Sequence, residues 1–259
     1  MSKKQQEKLI ADLTTHTLPL YEKDFPLIFF WSPKSGCTSL IKWFFFQVGV
    51  LQKAMDYNPW VHFYRMEVYE NSDDHIIEIR KQLSNEKKDV YKLVRNPYKR
   101  AVSSFLATLG NESIMNQVAP NKNGGLSFKE FLYHVKNIGV SKDLINNHIA
   151  QQYIEGEELL IENYVKLEDF SDSMRNIESK YKLLNSPILS LTRSSHHVSH
   201  RMQNKGGFAD IKMTIEVFNN PMPTYESFYD DETKNLVENL FAKDFEKYKY
   251  NKDDLNRYV

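Results

Sequence analysis

Lys34, Thr38 and Ser39 lie in WSPKSGCTSL (31–40), between two apolar runs, FPLIFFW (25–31) and LIKWFFFQVGV (40–50). The first run reads as a buried strand and the second as a helix, so the Pro/Gly/Ser/Thr segment between them is a strand-to-helix turn. The first N–H groups of a helix have no partner within it, and its positive dipole end faces the same turn. One lysine adds a mobile charge and two hydroxyls add neutral donors, which makes the turn a cradle for phosphate or sulfate. A second constellation follows. Arg95 ends the apolar run VYKLV (90–94), and Asn96 and Pro97 are a cap and first-turn residue for a helix striped by Val102, Phe105, Leu106 and Leu109. Ser103 lies about two turns into that helix, placing a hydroxyl with the planar fork of Arg95 for a second anion. Open α/β sheets bind ligands at such strand ends.

The turn is not the GxxxxGK[ST] phosphate loop of nucleotide hydrolases. It has one glycine, Gly36, its lysine precedes that glycine, and no Mg²⁺-binding carboxylate stands in the right context. It resembles instead the 5′-phosphosulfate loop of sulfotransferases that use 3′-phosphoadenylyl sulfate (PAPS). In the carbohydrate sulfotransferase branch (sulfotransferase family 2-like) that loop reads roughly PKxGxTS or PKxGCTN, and Pro33, Lys34, Gly36, Cys37 and Thr38 match it. RNPYKRAVSSF (95–105) resembles the family's 3′-phosphate segment. NYVKLEDF (163–170) is similar to its next core strand, and YESFYDDETKNLVENLFAKDFEKYKY (225–250) to its closing helical segment, so the resemblance spans residues 26–250.

The resemblance implies an α/β, P-loop-like three-layer fold, a central parallel sheet flanked by helices. It implies one sulfotransferase domain over 1–259, with 1–24 as a peripheral N-terminal segment. The donor is PAPS, the product 3′,5′-adenosine bisphosphate, and no metal is needed. Cofactor contacts fall to Lys34, Ser35, Gly36, Cys37, Thr38, Ser39, Arg95 and Ser103. Lys205 joins them through the likeness of NKGGFADIK (204–212) to the Arg-Lys-Gly loop of cytosolic sulfotransferases, although Asn204 stands where that loop has arginine.

Sulfuryl transfer is an in-line displacement in which positioning and charge stabilisation do most of the catalysis. Lys34 and the N–H groups of residues 35–39 are expected to stabilise the leaving phosphate. The acceptor hydroxyl needs a base, and histidine suits neutral pH. His62, in NPWVHFYRMEVY (58–69), stands where several relatives carry a catalytic His or Glu, with Glu67 as the second candidate. His148 is the third: NNHIAQQY (146–153) resembles the HWxPQ phrase near the acceptor site of the carbohydrate branch, with Ile149 for Trp and no Pro. His196, His197 and His200 lack the cysteines or carboxylates of a metal site. Two other functions remain open: a nucleotide kinase-like phosphotransferase dependent on Mg-ATP, and a non-catalytic nucleotide- or glycan-binding relative that keeps Lys34, Arg95 and Ser103.

Lys plus Arg and Asp plus Glu both number 34 in 259 residues, so no global field favours nucleic acid. Cys37 is the only cysteine, which rules out an intrachain disulfide and suits a reducing compartment. MSKKQQEKLIADL lacks a signal-peptide core, and no apolar run is long enough for a bilayer. A soluble, cytoplasmic enzyme is therefore expected, unlike the membrane-anchored Golgi relatives. Its acceptor is expected to be a carbohydrate, a glycolipid or a small molecule bound by loops near 51–75, 110–126 and 192–224. Alternating strand and helix patterns place strands at 26–31, 90–94 and 159–167. Helices are expected at 39–50, 72–86, 97–109, 141–153 and 170–182, with one more opening at the capping box Ser127–Glu130.

Overall fold

An uninterrupted apolar strand in a parallel sheet needs cover on both faces. The computed structural model describes residues 2–85, 87–120, 124–193, 199–219, 221–253 and 255. The chain forms α1 (Lys3–Thr15), β1 (Leu27–Trp31), α2 (Cys37–Gln47), α3 (Leu51–Tyr57) and α4 (His62–Tyr64), which runs into a π-helical turn, Arg65–Tyr69. Next come α5 (Asp73–Asn85), β2 (Asp89–Val94), α6 (Pro97–Leu109), α7 (Glu112–Val118) and α8 (Phe128–Ile138). They are followed by β3 (Asn163–Lys166), α9 (Phe170–Tyr181), α10 (Ile188–Leu191), β4 (Met202–Asn204), β5 (Met222–Pro223), α11 (Asp231–Leu240) and α12 (Ala242–Lys247). Two compact units result: Met1–Val94 with Ile154–Ser194, and Arg95–Tyr153 with Ser195–Val259.

In the first unit β1, β2 and β3 make a parallel sheet in that order. Trp31 pairs with Leu93, and Leu93 with Val165, so the three strands end at one edge. Leu27, Phe29 and Trp31 pack with Leu40, Trp43 and Phe44 of α2 and Met174 and Ile177 of α9. Ile28 and Phe30 turn the other way, onto Leu9, Ile10 and Leu13 of α1 and Ile79 and Leu83 of α5. This is a mixed α/β unit, a small parallel sheet flanked by helices, as the strand and helix alternation implies. Leu20 covers the outer edge of β1, exchanging hydrogen bonds of 2.8 and 3.0 Å with Phe29. Glu178 ties α9 to α2, accepting from Trp43 Nε1 at 2.9 Å and Gln47 Nε2 at 3.2 Å. β2 buries a charge as well: Lys92 Nζ lies 2.5 Å from Glu157 Oε2, with both side chains at most 3% exposed.

In the second unit Asn96 caps α6 by accepting from the N–H groups of Tyr98 and Lys99, and Pro97 occupies the first turn. Ser127 and Glu130 form the expected capping box on α8. Two expectations fail. Residues 141–153 form turns and no helix: Asn146 Oδ1 accepts from the His148 N–H at 3.0 Å, an Asx turn that competes with helical bonding. Conversely, α7 lies where a loop over 110–126 is expected, because Asn111 caps it and Ile114 and Val118 bury its inner face. Among the described residues no helix is long and apolar enough to cross a membrane.

Candidate active site

The chain leaves β1 at Trp31 and turns at once. Ser35 closes the turn, donating to the Ser32 carbonyl through its N–H at 3.1 Å and its hydroxyl at 2.6 Å. Two residues take left-handed backbone, Lys34 with φ 69° and Gly36 with φ 91°. For a lysine this costs about 1–2 kcal/mol, and strain of that kind gathers at functional sites. At Gly36 only glycine fits. A Cβ there would collide with Cδ1 of Leu167 and come within 3.2 Å of its Cδ2. Helix α2 then starts at Cys37 with Gly36 as its cap residue, earlier than a cap at Thr38 or Ser39 would start it.

That early start sorts the donors. The N–H groups of Ser39 and Leu40 return to the Gly36 carbonyl at 3.1 and 3.3 Å, and that of Ser35 is held by Ser32. The N–H groups of Gly36, Cys37 and Thr38 are those the helix start leaves to a ligand. Left-handed residues alternating with such groups form an anion-binding concavity. The buried hydroxyl of Ser32 has no hydrogen-bond partner among the described residues. A narrow, glycine-dependent cradle with these donors and Lys34 fits a phosphosulfate group.

His62, the first residue of α4, meets this cradle. Its Nε2 lies 3.2 Å from Thr38 Oγ1 and 3.6 Å from Cys37 Sγ, and the residue is only 7% exposed. The imidazole sits edge-on to Trp31, with ring centroids 6.0 Å apart, and 5.1 Å from the Trp60 ring. Burial pushes the Cys37 thiol up, against the nearby charges of Lys34 and Arg65, so Cys37 is a neutral neighbour and no thiolate nucleophile. Glu67 is exposed and accepts from the Tyr57 hydroxyl at 2.6 Å.

Sequence reasoning missed Arg65. Its guanidinium is buried over the Trp31 ring, 4.7 Å from the centroid, with Nε 3.5 Å from Glu70 Oε1. Burial pushes the Glu70 carboxyl up to about 7, against the pull of Arg65. The one available signal was its place three residues after His62, one turn along a helical segment.

In the second unit Arg95 follows directly on β2. Gln152 grips its backbone from both sides, accepting from the Arg95 N–H at 2.9 Å and donating to its carbonyl at 2.8 Å. Asp244 fixes that segment in turn, accepting from the N–H groups of Gln152 at 3.0 Å and Tyr153 at 2.8 Å. The Arg95 side chain donates to the Tyr225 hydroxyl at 2.9 Å and lies 5.4 Å from the ring centroid. Lys99 Nζ stands 5.9 Å from the same centroid. Ser103 is half-buried on α6, while its neighbour Ser104 donates to the His148 carbonyl. His148 is exposed, with Nδ1 2.9 Å from Asn146 Oδ1. Lys205 is exposed beside Gly206, whose N–H donates to Ser227 Oγ at 3.2 Å. His196 and His197 lie outside the described residues, and His200 is exposed in a short 3-10 turn. Among the described residues no group of three or more His, Cys, Asp or Glu is placed to hold a metal. Gln152 and Asp244 escaped the sequence reading, although each stands in a family-like phrase, because an uncharged amide and a helical aspartate look alike whether buried or solvated.

No curated protein and no solved structure matches the chain. The model of the sulfotransferase family matches residues 20–251, which takes in the β1–α2 turn, His62, Arg95 and the closing helices. A match over most of the chain shows that this protein belongs to the sulfotransferase family.

Proposed function

We propose that the protein transfers the sulfuryl group of PAPS to an acceptor hydroxyl by in-line displacement, in a P-loop-like three-layer domain over 1–259. The contact of His62 Nε2 with Thr38 Oγ1, 3.2 Å, carries this reading: it sets a candidate base on the lip of an anion cradle. The family match runs without a break through both compact units, which supports a single domain. PAPS, when bound, supplies the sulfuryl group and a bisphosphate leaving group.

Nε2 of His62 takes the acceptor proton as the acceptor oxygen attacks sulfur. Lys34 and the N–H groups of Gly36, Cys37 and Thr38 hold the charge that develops on the phosphate oxygen as the old S–O bond breaks. Cys37, Thr38 and Ser39 form the helix start against which the 5′ end lies, and Ser35 keeps the turn closed. Arg95 and Ser103 bind the 3′-phosphate, with Lys205 as a third contact. Glu67 and His148 are assigned to the acceptor side, and the acceptor is a carbohydrate or glycolipid. The reaction needs no metal, and the enzyme works in the cytoplasm.

Thermal unfolding with ligand tests the donor. A ligand that binds only the folded state raises its stability with the logarithm of concentration over Kd. Adenosine 3′,5′-bisphosphate in EDTA is expected to raise Tm. Stabilisation by Mg-ATP alone would overturn the assignment in favour of a phosphotransferase. Lys34→Ala should cost about 10²–10³ in turnover, the range for a lost oxyanion donor. His62→Ala should leave bisphosphate binding intact and lose turnover, and undiminished turnover would remove His62 as the base.

A further inference from the structure

Fourteen large apolar side chains are exposed among the described residues, and six of them, Met55, Tyr57, Trp60, Phe63, Met66 and Val68, fall within residues 55–68. Exposed apolar residues scattered singly need no explanation, whereas a concentration of them marks a binding surface. Trp60, Phe63 and Met66 recur every third residue, the spacing of neighbours on a helical face. The Trp60 and Phe63 rings meet edge to face, with centroids 4.9 Å apart. Of the segment's charges, Arg65 is buried over Trp31, while the exposed carboxylates of Asp56 and Glu67 accept hydrogen bonds from Gln52 and Tyr57. The segment includes a π-helical turn, a form frequent at functional sites.

The face adjoins the reacting position. Trp60 lies 5.1 Å from His62, whose Nε2 faces Thr38 of the cradle. A molecule that presents a hydroxyl to Nε2 therefore has Trp60 within reach of the atoms next to that hydroxyl. We propose that Trp60, Phe63 and Met66 form an acceptor platform, and that the acceptor is an amphiphile: a hydroxyl-bearing polar head joined to an alkyl or aryl group. Indole and phenyl faces and a polarisable thioether reward apolar contact. A wholly polar oligosaccharide would leave them without a match. The proposal rests on His62 as the base and narrows the acceptor of that same site.

The test is calorimetric titration with n-octyl β-glucoside below its micelle concentration, against methyl β-glucoside. The octyl compound should bind saturably and at least about tenfold tighter than the methyl compound, since several buried methylenes contribute roughly 0.8 kcal/mol each. Trp60→Ala with Phe63→Ala should weaken octyl binding by about tenfold, and Trp60→Phe should restore most of it. Both side chains are only about a third exposed, so the double variant should lose some Tm, and binding is compared well below its unfolding transition. Equal affinity for the two glucosides, or octyl binding unchanged in the double variant, would overturn the platform. So would unsaturable octyl binding by a protein that sediments with phosphatidylcholine vesicles, because the face would then belong to a membrane surface. Trp60-dependent octyl binding in a protein that ignores adenosine bisphosphate would support the platform and remove the donor reading instead.

Discussion

Gly36→Ala probes the cradle at the point where backbone and packing both demand glycine. With φ at 91°, any L-residue at position 36 incurs about 1–2 kcal/mol. The stiffer unfolded chain of alanine offsets about 0.4–1 of this. The added Cβ would also run into Cδ1 of Leu167, a half-buried side chain between β3 and α9 packed against the α2–α9 core. Forcing an extra methyl into such a contact costs about 1–3 kcal/mol. The sum is a loss of about 3 kcal/mol, within a range of about 1–5. A double-mutant cycle separates the parts. In a Leu167→Ala background the collision disappears and only the backbone cost should remain, so the two substitutions should couple by about 1–3 kcal/mol. Urea unfolding followed by tryptophan fluorescence, to which the fully buried Trp43 contributes, measures each corner. A loss below about 0.5 kcal/mol for Gly36→Ala, or strict additivity in the cycle, would refute the account of why glycine stands there.

Lys92→Met should cost about 3–5 kcal/mol, because it strands the buried carboxylate of Glu157, whereas Lys92→Met with Glu157→Leu should recover most of it. Urea titrations on the single and double variants decide this, and an equal loss in both would show that the pair is not the cause. Glu70 predicts a pH slope in stability. Its folded value of about 7 lies above its ordinary 4.5, so between those pH values the unfolded chain releases a proton that the folded chain keeps. The contribution of Glu70 to stability should be greatest below about pH 4.5, fall by up to about 3 kcal/mol on the way to pH 7, and then level off. Glu70→Gln should flatten that segment of the curve, and an unchanged slope in the variant would assign it to another group.

The strands were legible because their cause is local. LIFFW is a continuous apolar run and VYKLV is apolar apart from Lys92, and such runs belong to a sheet covered on both faces. The Ser127–Glu130 capping box and the Asn96–Pro97 helix start were legible for the same reason, since every partner lies within four residues. The failures are of two kinds: a local amide that competes with the helix, and partners far along the chain. Residues 141–153 carry apolar residues at helix-compatible spacing, but Asn146 spends its amide oxygen on the His148 N–H, and the helix does not start. Arg65 looks like any charged residue on a helical segment until the Trp31 ring is brought beneath it by β1. Gln152 grips Arg95 from 57 positions away, and no pattern in either neighbourhood announces it.

Residue type alone also leaves the roles within the cradle undivided. Ser32, Ser35, Thr38 and Ser39 are all hydroxyl residues within eight positions, and on composition each could face a ligand. The backbone divides them. Left-handed residues at 34 and 36 fold the turn so that Ser35 points inward and bonds to Ser32, while α2 begins early enough to set Thr38 against His62. Had the helix begun at Ser39, the N–H groups of Gly36 and Cys37 would lie outside its first turn and lose the alignment that concentrates the dipole. The strain at Lys34 and the demand for glycine at position 36 therefore serve one end. They move the helix start toward β1, so that the first N–H groups of α2 open onto the turn at the sheet edge, beside the His62 imidazole that meets Thr38.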